Sequence, residues 1–308
     1  MSRIQQQGRA YLYAGLAIFF WSTVATAFKI GLRNLGFLEL VLYSSFFSWL
    51  VYFLFIVFQG RWQELLNIRW RHCLSSAFLG FLNPFLYYVI LFKAYSLLPA
   101  QVAQPVNMIW PIVLVFLSVP LLGQKVRYKS YVALFMGFTG VWLIASQGDL
   151  FSIRHSSPPG LALAVGSSLV WSLYWIFNVK DTRNEESKLF INFMFATLYI
   201  FIVCLLTGQL HSLSFKALAP AAYIGMFEMG VSFLFWLKAM KLTSSNDRIS
   251  TLVYLAPFLS LVFIHFILGE HIYLTTVSGL VIIVAGILFQ KISFKEERSG
   301  TNKLEKAV

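Results

Sequence analysis

The chain has 308 residues, 58% of them hydrophobic and only 12% charged, and a mean hydropathy of +0.73, whereas soluble domains carry charge on about a quarter of their residues. Its formal net charge of +12 sits in short connections between apolar runs and accompanies no basic face or nucleic-acid-binding motif, so a nucleic-acid partner is excluded. Two isolated cysteines, Cys73 and Cys204, exclude a disulfide framework and a CxxC metal or redox site.

In chain order, apolar runs occupy residues 11–31, 37–58, 73–92, 101–121, 129–146, 160–179, 188–207, 216–237, 249–268 and 272–290. Each approaches the ~20 residues that cross a ~30 Å hydrocarbon layer. Lipid tolerates only backbone that satisfies its own hydrogen bonds, so these runs predict an all-α polytopic membrane protein with ten transmembrane helices. The first run follows Arg3 and Arg9 and contains Ala25-Thr26-Ala27, the outline of a cleaved signal peptide. Its match to a later helix marks it instead as a retained span.

The charges orient the helices. With the N-terminus in the cytoplasm, 19 of the 24 Lys and Arg residues fall on the inner side, in the head, four inner loops and the tail. This bias predicts that both termini are cytoplasmic, in a protein integral to the inner membrane of a bacterial cell.

The two halves repeat. Trp21-Ser22 recurs as Trp171-Ser172, Gly80 as Gly225, Lys93-Ala94 as Lys238-Ala239, Pro111 as Pro257, Leu122-Gly123 as Leu268-Gly269, and Gly140 as Gly286, all at an offset of 145 to 150. Residues 11–146 form one five-helix unit, 160–291 a second, and 292–308 a basic cytoplasmic tail. Five is odd, so the second unit enters the membrane inverted relative to the first. Inverted repeats are the mark of alternating-access transporters, which bind substrate near the midplane.

These features resemble the drug/metabolite transporter superfamily of EamA type. The resemblance is carried by the Trp-Ser of each first helix, by Pro111 and Pro257, and by Leu268-Gly269-Glu270, with Gln124 replacing the acid in the first half. The stretch Val106 to Pro111 with Gly123-Gln124-Lys125 is also similar to the aromatic amino-acid exporter branch. The resemblance implies a cavity walled by helices 1 to 4 and 6 to 9, with helices 5 and 10 as scaffold.

Glu228 is the side chain that most asks for a function. It lies mid-run, where an ionisable group costs about 2.5–3.5 kcal/mol on insertion scales. As a cavity carboxylate it would bind a substrate cation or carry a coupled proton; the alternative is a clamp to a neighbouring helix. Its counterpart at offset 145 is Asn83, followed by Pro84, which frees a carbonyl. Trp171, Tyr174, Trp175 and Asn178 share one face of the sixth helix, and Trp21 and Trp110 can face the same space. Aromatic walls suit planar or amphipathic solutes. Gln101, Gln104 and Asn107 share a face at the start of helix 4, as amides able to replace a solute's hydration or as a solvated helix end.

The remaining polar residues read as structural. Lys93 and Lys238 are expected to snorkel to headgroups, His265 to be a satisfied core group, and Glu270 and His271 to shape a tight turn. No cofactor is implied. The chain lacks GxxxxGK[ST], HExxH and GxSxG motifs, which argues against ATP drive, protease or esterase chemistry and an enzyme in general. The expectation is a secondary transporter, an exporter of small organic metabolites such as amino acids, with Trp21, Asn83, Asn107, Trp110, Trp171, Tyr174, Asn178 and Glu228 as substrate-binding residues. The rival reading is a non-transporting membrane protein, either a lipid-modifying enzyme or an assembly partner.

Overall fold

The computed structural model describes residues 3–63, 69–123, 128–150, 156–210, 215–243, 249 and 252–305, with side chains from residue 6 to 290. Gln124, and with it the expected contrast to Glu270, lies outside these residues. Among the described residues all regular structure is helical.

The helices are α1 (Arg3–Leu32), α2 (Phe37–Phe58), α3 (Trp70–Leu97), α4 (Ala100–Leu122), α5 (Tyr128–Ser146), α6 (Pro158–Val179), α7 (Glu185–Leu206), α8 (Phe215–Leu242), α9 (Val253–Leu268) and α10 (Leu274–Glu305). The first eight are long and apolar enough to cross a membrane; α9 and the Leu274–Gln290 part of α10 are apolar but shorter. The protein is therefore an integral, polytopic membrane protein. Several helices outrun their apolar stretch because the hydrogen-bond ladder continues into polar residues until a cap stops it. Asn184 caps α7 by accepting from the Glu186 amide at 3.0 Å, and Ser157 caps α6 from Gly160 at 3.3 Å. α10 runs unbroken past Gln290 into the expected tail.

Gly123 and Gly269, the glycines of the two Leu-Gly motifs, adopt left-handed conformations (φ 67° and 72°) that terminate α4 and α9. Both fourth helices also break just before their proline. α4 is interrupted between Asn107 and Trp110, ahead of Pro111, and α9 opens with a 3-10 turn, Val253–Leu255, ahead of Pro257.

Packing pairs helices across the two halves. α1 lies on α8 and α9, α6 lies on α3 and α4, α2 packs on α7 and α8, α7 packs on α2 and α3, and α5 pairs with α10. Glycines set the closest approaches. A Cβ on Gly80 of α3 would strike the Asn192 carbonyl of α7, and one on Gly225 of α8 would strike the Ser44 carbonyl of α2. Gly140 of α5 and Gly279 of α10 face each other as closely.

Candidate functional site

Helices α3 and α8 are both broken, at positions about 145 residues apart in sequence. α3 is kinked within Phe81–Leu86, where Asn83 is extended (φ −148°, ψ 124°). Pro84 explains this, because a proline disfavours helical geometry in the residue before it. α8 contains the π-helical stretch Ile224–Val231, which carries Glu228. Wide turns of this kind cluster at functional sites, because they leave backbone groups and side chains out of the regular register.

Glu228 is half-buried, and the fully buried Tyr88 of α3 donates to both its carboxylate oxygens, at 2.8 and 2.9 Å. From Tyr88 a run of rings leads away. Tyr87 lies 4.8 Å from Tyr88 and 4.6 Å from Trp171, centroid to centroid. Trp171 in turn meets Trp110 at 6.4 Å, Tyr174 at 5.8 Å, Trp175 at 5.9 Å and Phe233 at 6.4 Å. Phe233 completes the path to Trp21 at 5.8 Å. Aromatic side chains from α1, α3, α4, α6 and α8 thus converge beside one carboxylate, an arrangement that can stack a planar solute and hold a cationic group.

The amides divide into two groups. Asn107 is spent within the protein: it accepts from the Tyr87 hydroxyl at 3.2 Å and donates to Ser167 Oγ at 2.8 Å, so it steadies the aromatic wall. Gln101 is buried and bonded to the His271 carbonyl (2.6 Å), Thr276 (3.2 Å) and the Tyr273 amide (3.4 Å), rather than forming a solvated helix end. By contrast, Asn83 Oδ1, Asn178 Oδ1, Gln104 Oε1 and both amide atoms of Asn192 are buried without a partner among the described residues. Asn83 and Asn192 adjoin the Tyr174 hydroxyl. Asn83 therefore sits with Tyr174 on the flank of the aromatic wall, and Glu228 with Tyr88 near its other end.

The motif residues at the helix ends are structural. Glu270 accepts from the amides of Ala100 (2.8 Å) and Gln101 (3.1 Å), capping α4 with negative charge at its N-terminus. Lys29 donates to the Tyr95 and Leu98 carbonyls at 2.8 and 2.7 Å, and a cleft of about 300 Å³ opens between it, Arg33 and Glu270. Lys93 and Lys238 lie over the rings of Phe37 and Tyr13, at 5.0 and 5.4 Å. His265 is a correction: it is exposed rather than in the core, with Nδ1 3.0 Å from the Glu270 carbonyl. In the loop between α6 and α7, Asp181 is partly buried, which raises its carboxyl pKa, but hydrogen bonds and charge from Arg183 outweigh that and leave it below the usual carboxylate range. Arg183 also donates to the His72 carbonyl (3.1 Å) and Ser76 (2.8 Å), tying this loop to α3.

Tyr87, Tyr88 and Phe233 were not legible as site residues. The sequence holds 14 tyrosines and 31 phenylalanines, and the one available signal, a Tyr-Tyr pair one turn past Pro84, does not say which carboxylate it meets.

Residues 8–146 and 158–290 each match the EamA-like transporter family. The chain belongs to that family. This EamA-like protein is thus a membrane transporter. It is 26% identical to the uncharacterized transporter YvbV of Bacillus subtilis, over 76% of each chain. It is 27% identical to the aromatic amino acid exporter YddG of Ancylobacter novellus, over 56% of this chain and 61% of that one. An uncharacterized transporter of Archaeoglobus fulgidus is 22% identical over 91% of this chain and 96% of its own. A crystal structure with 21% identity shares the fold, with a TM-score of 0.61 over 93% of this chain and 98% of its own.

Proposed function

We propose that this EamA-like transporter is a secondary exporter of small organic metabolites, amino acids among them, and works by alternating access around a midplane site. The carrying observation is the half-buried Glu228, bonded to Tyr88 at a break in α8 and flanked by the Trp171 aromatic wall. A carboxylate there suits a solute's amino group or a coupled proton, and the rings suit an apolar or aromatic body. Broken helices are tolerated where they line a cavity.

The mechanism requires ten spans in two inverted repeats. Support comes from the two successive family matches and from helix pairings that persist when each helix is exchanged for the one five places along. The glycine contacts obey the same exchange: Gly80 on Asn192 corresponds to Gly225 on Ser44. With both termini in the cytoplasm of a bacterial cell, the repeats would rock about the site.

The reading is tested by growing cells that overproduce the protein on a panel of toxic amino acids and analogues. Resistance to a subset, with reduced cellular content of those compounds, is the expected result. Unchanged sensitivity and content across the panel would remove amino acids from the substrate class.

A further inference from the structure

The π-helical stretch that presents Glu228 is held from outside its own helix. A π turn bonds each amide five residues back, so a carbonyl falls out of the regular ladder and needs another donor. Two hydroxyls serve this stretch. Ser232, just beyond it, adds its hydroxyl to the Phe227 carbonyl that its own amide already meets, and Tyr52 of α2 donates to the Met229 carbonyl at 2.8 Å. Tyr52 is completely buried, and it reaches this carbonyl because α2 lies against the stretch along its length. A Cβ on Gly225 would strike the Ser44 carbonyl, and one on Gly230 would lie 3.1 Å from Val51.

The other half lacks this brace. Matching the Gly80 contact with Asn192 to the Gly225 contact with Ser44 places Tyr199 opposite Val51 and Ile200 opposite Tyr52. Contacts agree with that register: Tyr199 meets Phe85 at 5.8 Å, as Val51 meets Gly230. Ile200 has no hydroxyl, and Met229 is replaced by Pro84. The buried hydroxyl thus faces the broken helix that carries the carboxylate, and the matching position facing the other broken helix has none.

We infer that Tyr52 is a positioning residue for Glu228: its hydrogen bond to the Met229 carbonyl holds α8 in the wide register that sets the Glu228 carboxylate on Tyr88. Relaxation of the stretch to a regular α-helix moves the register by one residue, a rotation of about 100°, and carries Glu228 off the Tyr88 hydroxyl. The first repeat's second helix thereby sets the geometry of the second repeat's carboxylate. The inference rests on Glu228 being the site carboxylate, and its test reads the position of that group without reference to transport.

The probe is dicyclohexylcarbodiimide, an apolar reagent for protonated carboxyl groups, with modification of the Glu228 peptide of the purified full-length protein followed by mass spectrometry. Tyr88→Phe sets the rate for a Glu228 without its partner. Tyr52→Phe is expected to approach that rate, about fivefold above wild type. Tyr199→Phe removes a comparable hydroxyl-to-backbone bond, 3.2 Å to the Ala77 carbonyl in the other half, and is expected to label like wild type. A wild-type rate in Tyr52→Phe, or equal acceleration in Tyr199→Phe, overturns the inference. If Tyr52→Phe does not accumulate, Ser232→Ala reads the same stretch through its other hydroxyl: faster labelling supports the inference, and a wild-type rate overturns it. Glu228→Gln with intact transport would instead remove the functional reading and leave the labelling result standing.

Discussion

The Tyr88 hydroxyl bridges both carboxylate oxygens of Glu228, at 2.8 and 2.9 Å, and so joins the third helix of one half to the third helix of the other. Tyr88→Phe keeps the ring contacts with Tyr87 and Phe92 and removes only the donor. A hydrogen bond to a charged group is worth about 1.5–3 kcal/mol, so uptake rates in inverted vesicles should fall by about tenfold to a hundredfold, with normal protein levels in the membrane. Uptake within twofold of wild type would show that the bridge is incidental.

The glycines that bring α3 to α7 and α8 to α2 leave no room for a methyl group. Gly80→Ala and Gly225→Ala place a Cβ against backbone carbonyls that cannot swing aside, and overpacking of this kind costs about 1–3 kcal/mol. Lower thermal midpoints in detergent are expected for both. Gly166→Ala in α6 meets nothing within 4 Å and should be neutral or slightly stabilising, since alanine favours helix by about 1 kcal/mol. Equal behaviour of all three variants would contradict the packing described.

Helix existence was legible throughout because the apolar runs are long, and the Leu-Gly motifs announced the ends that Gly123 and Gly269 form. The breaks were legible only where a proline stood. Pro84 signalled the opening at Asn83, but nothing in Ile224 to Val231 announces a π stretch, whose glycines meet α2 and whose Met229 carbonyl meets the Tyr52 hydroxyl, all distant in sequence. Among the site residues, Trp171, Tyr174 and Trp110 were expected together and are found together. Asn107 and Gln101 looked available in the sequence and are committed to internal bonds, because their partners, Tyr87, Ser167 and the His271 carbonyl, come from elsewhere in the chain.

The Asp181 carboxyl is held below its ordinary range by Arg183. A depressed folded-state pKa contributes stability that is present above the unfolded pKa and lost as pH falls through the folded value. Asp181→Asn should therefore melt below wild type at neutral pH, and the two curves should converge as pH drops through and below the usual carboxylate range. A constant difference at all pH values would place the effect elsewhere.

In the proposed topology, ten spans with a cytoplasmic N-terminus put the C-terminus in the cytoplasm as well. A C-terminal reporter active only outside the cytoplasm should stay silent, and one fused between α1 and α2 should be active. An active C-terminal fusion would remove both the span count and the inverted repeat.

Glu228→Gln separates a role of Glu228 in transport from one in folding, because the amide keeps the size and hydrogen-bonding capacity of the side chain while abolishing its charge. Once the growth panel has identified an exported compound, the variant should accumulate in the membrane at wild-type levels and lose export by at least about tenfold, the cost of one charged contact. Wild-type export by a normally accumulated Glu228→Gln protein would show that the Glu228 charge has no part in transport.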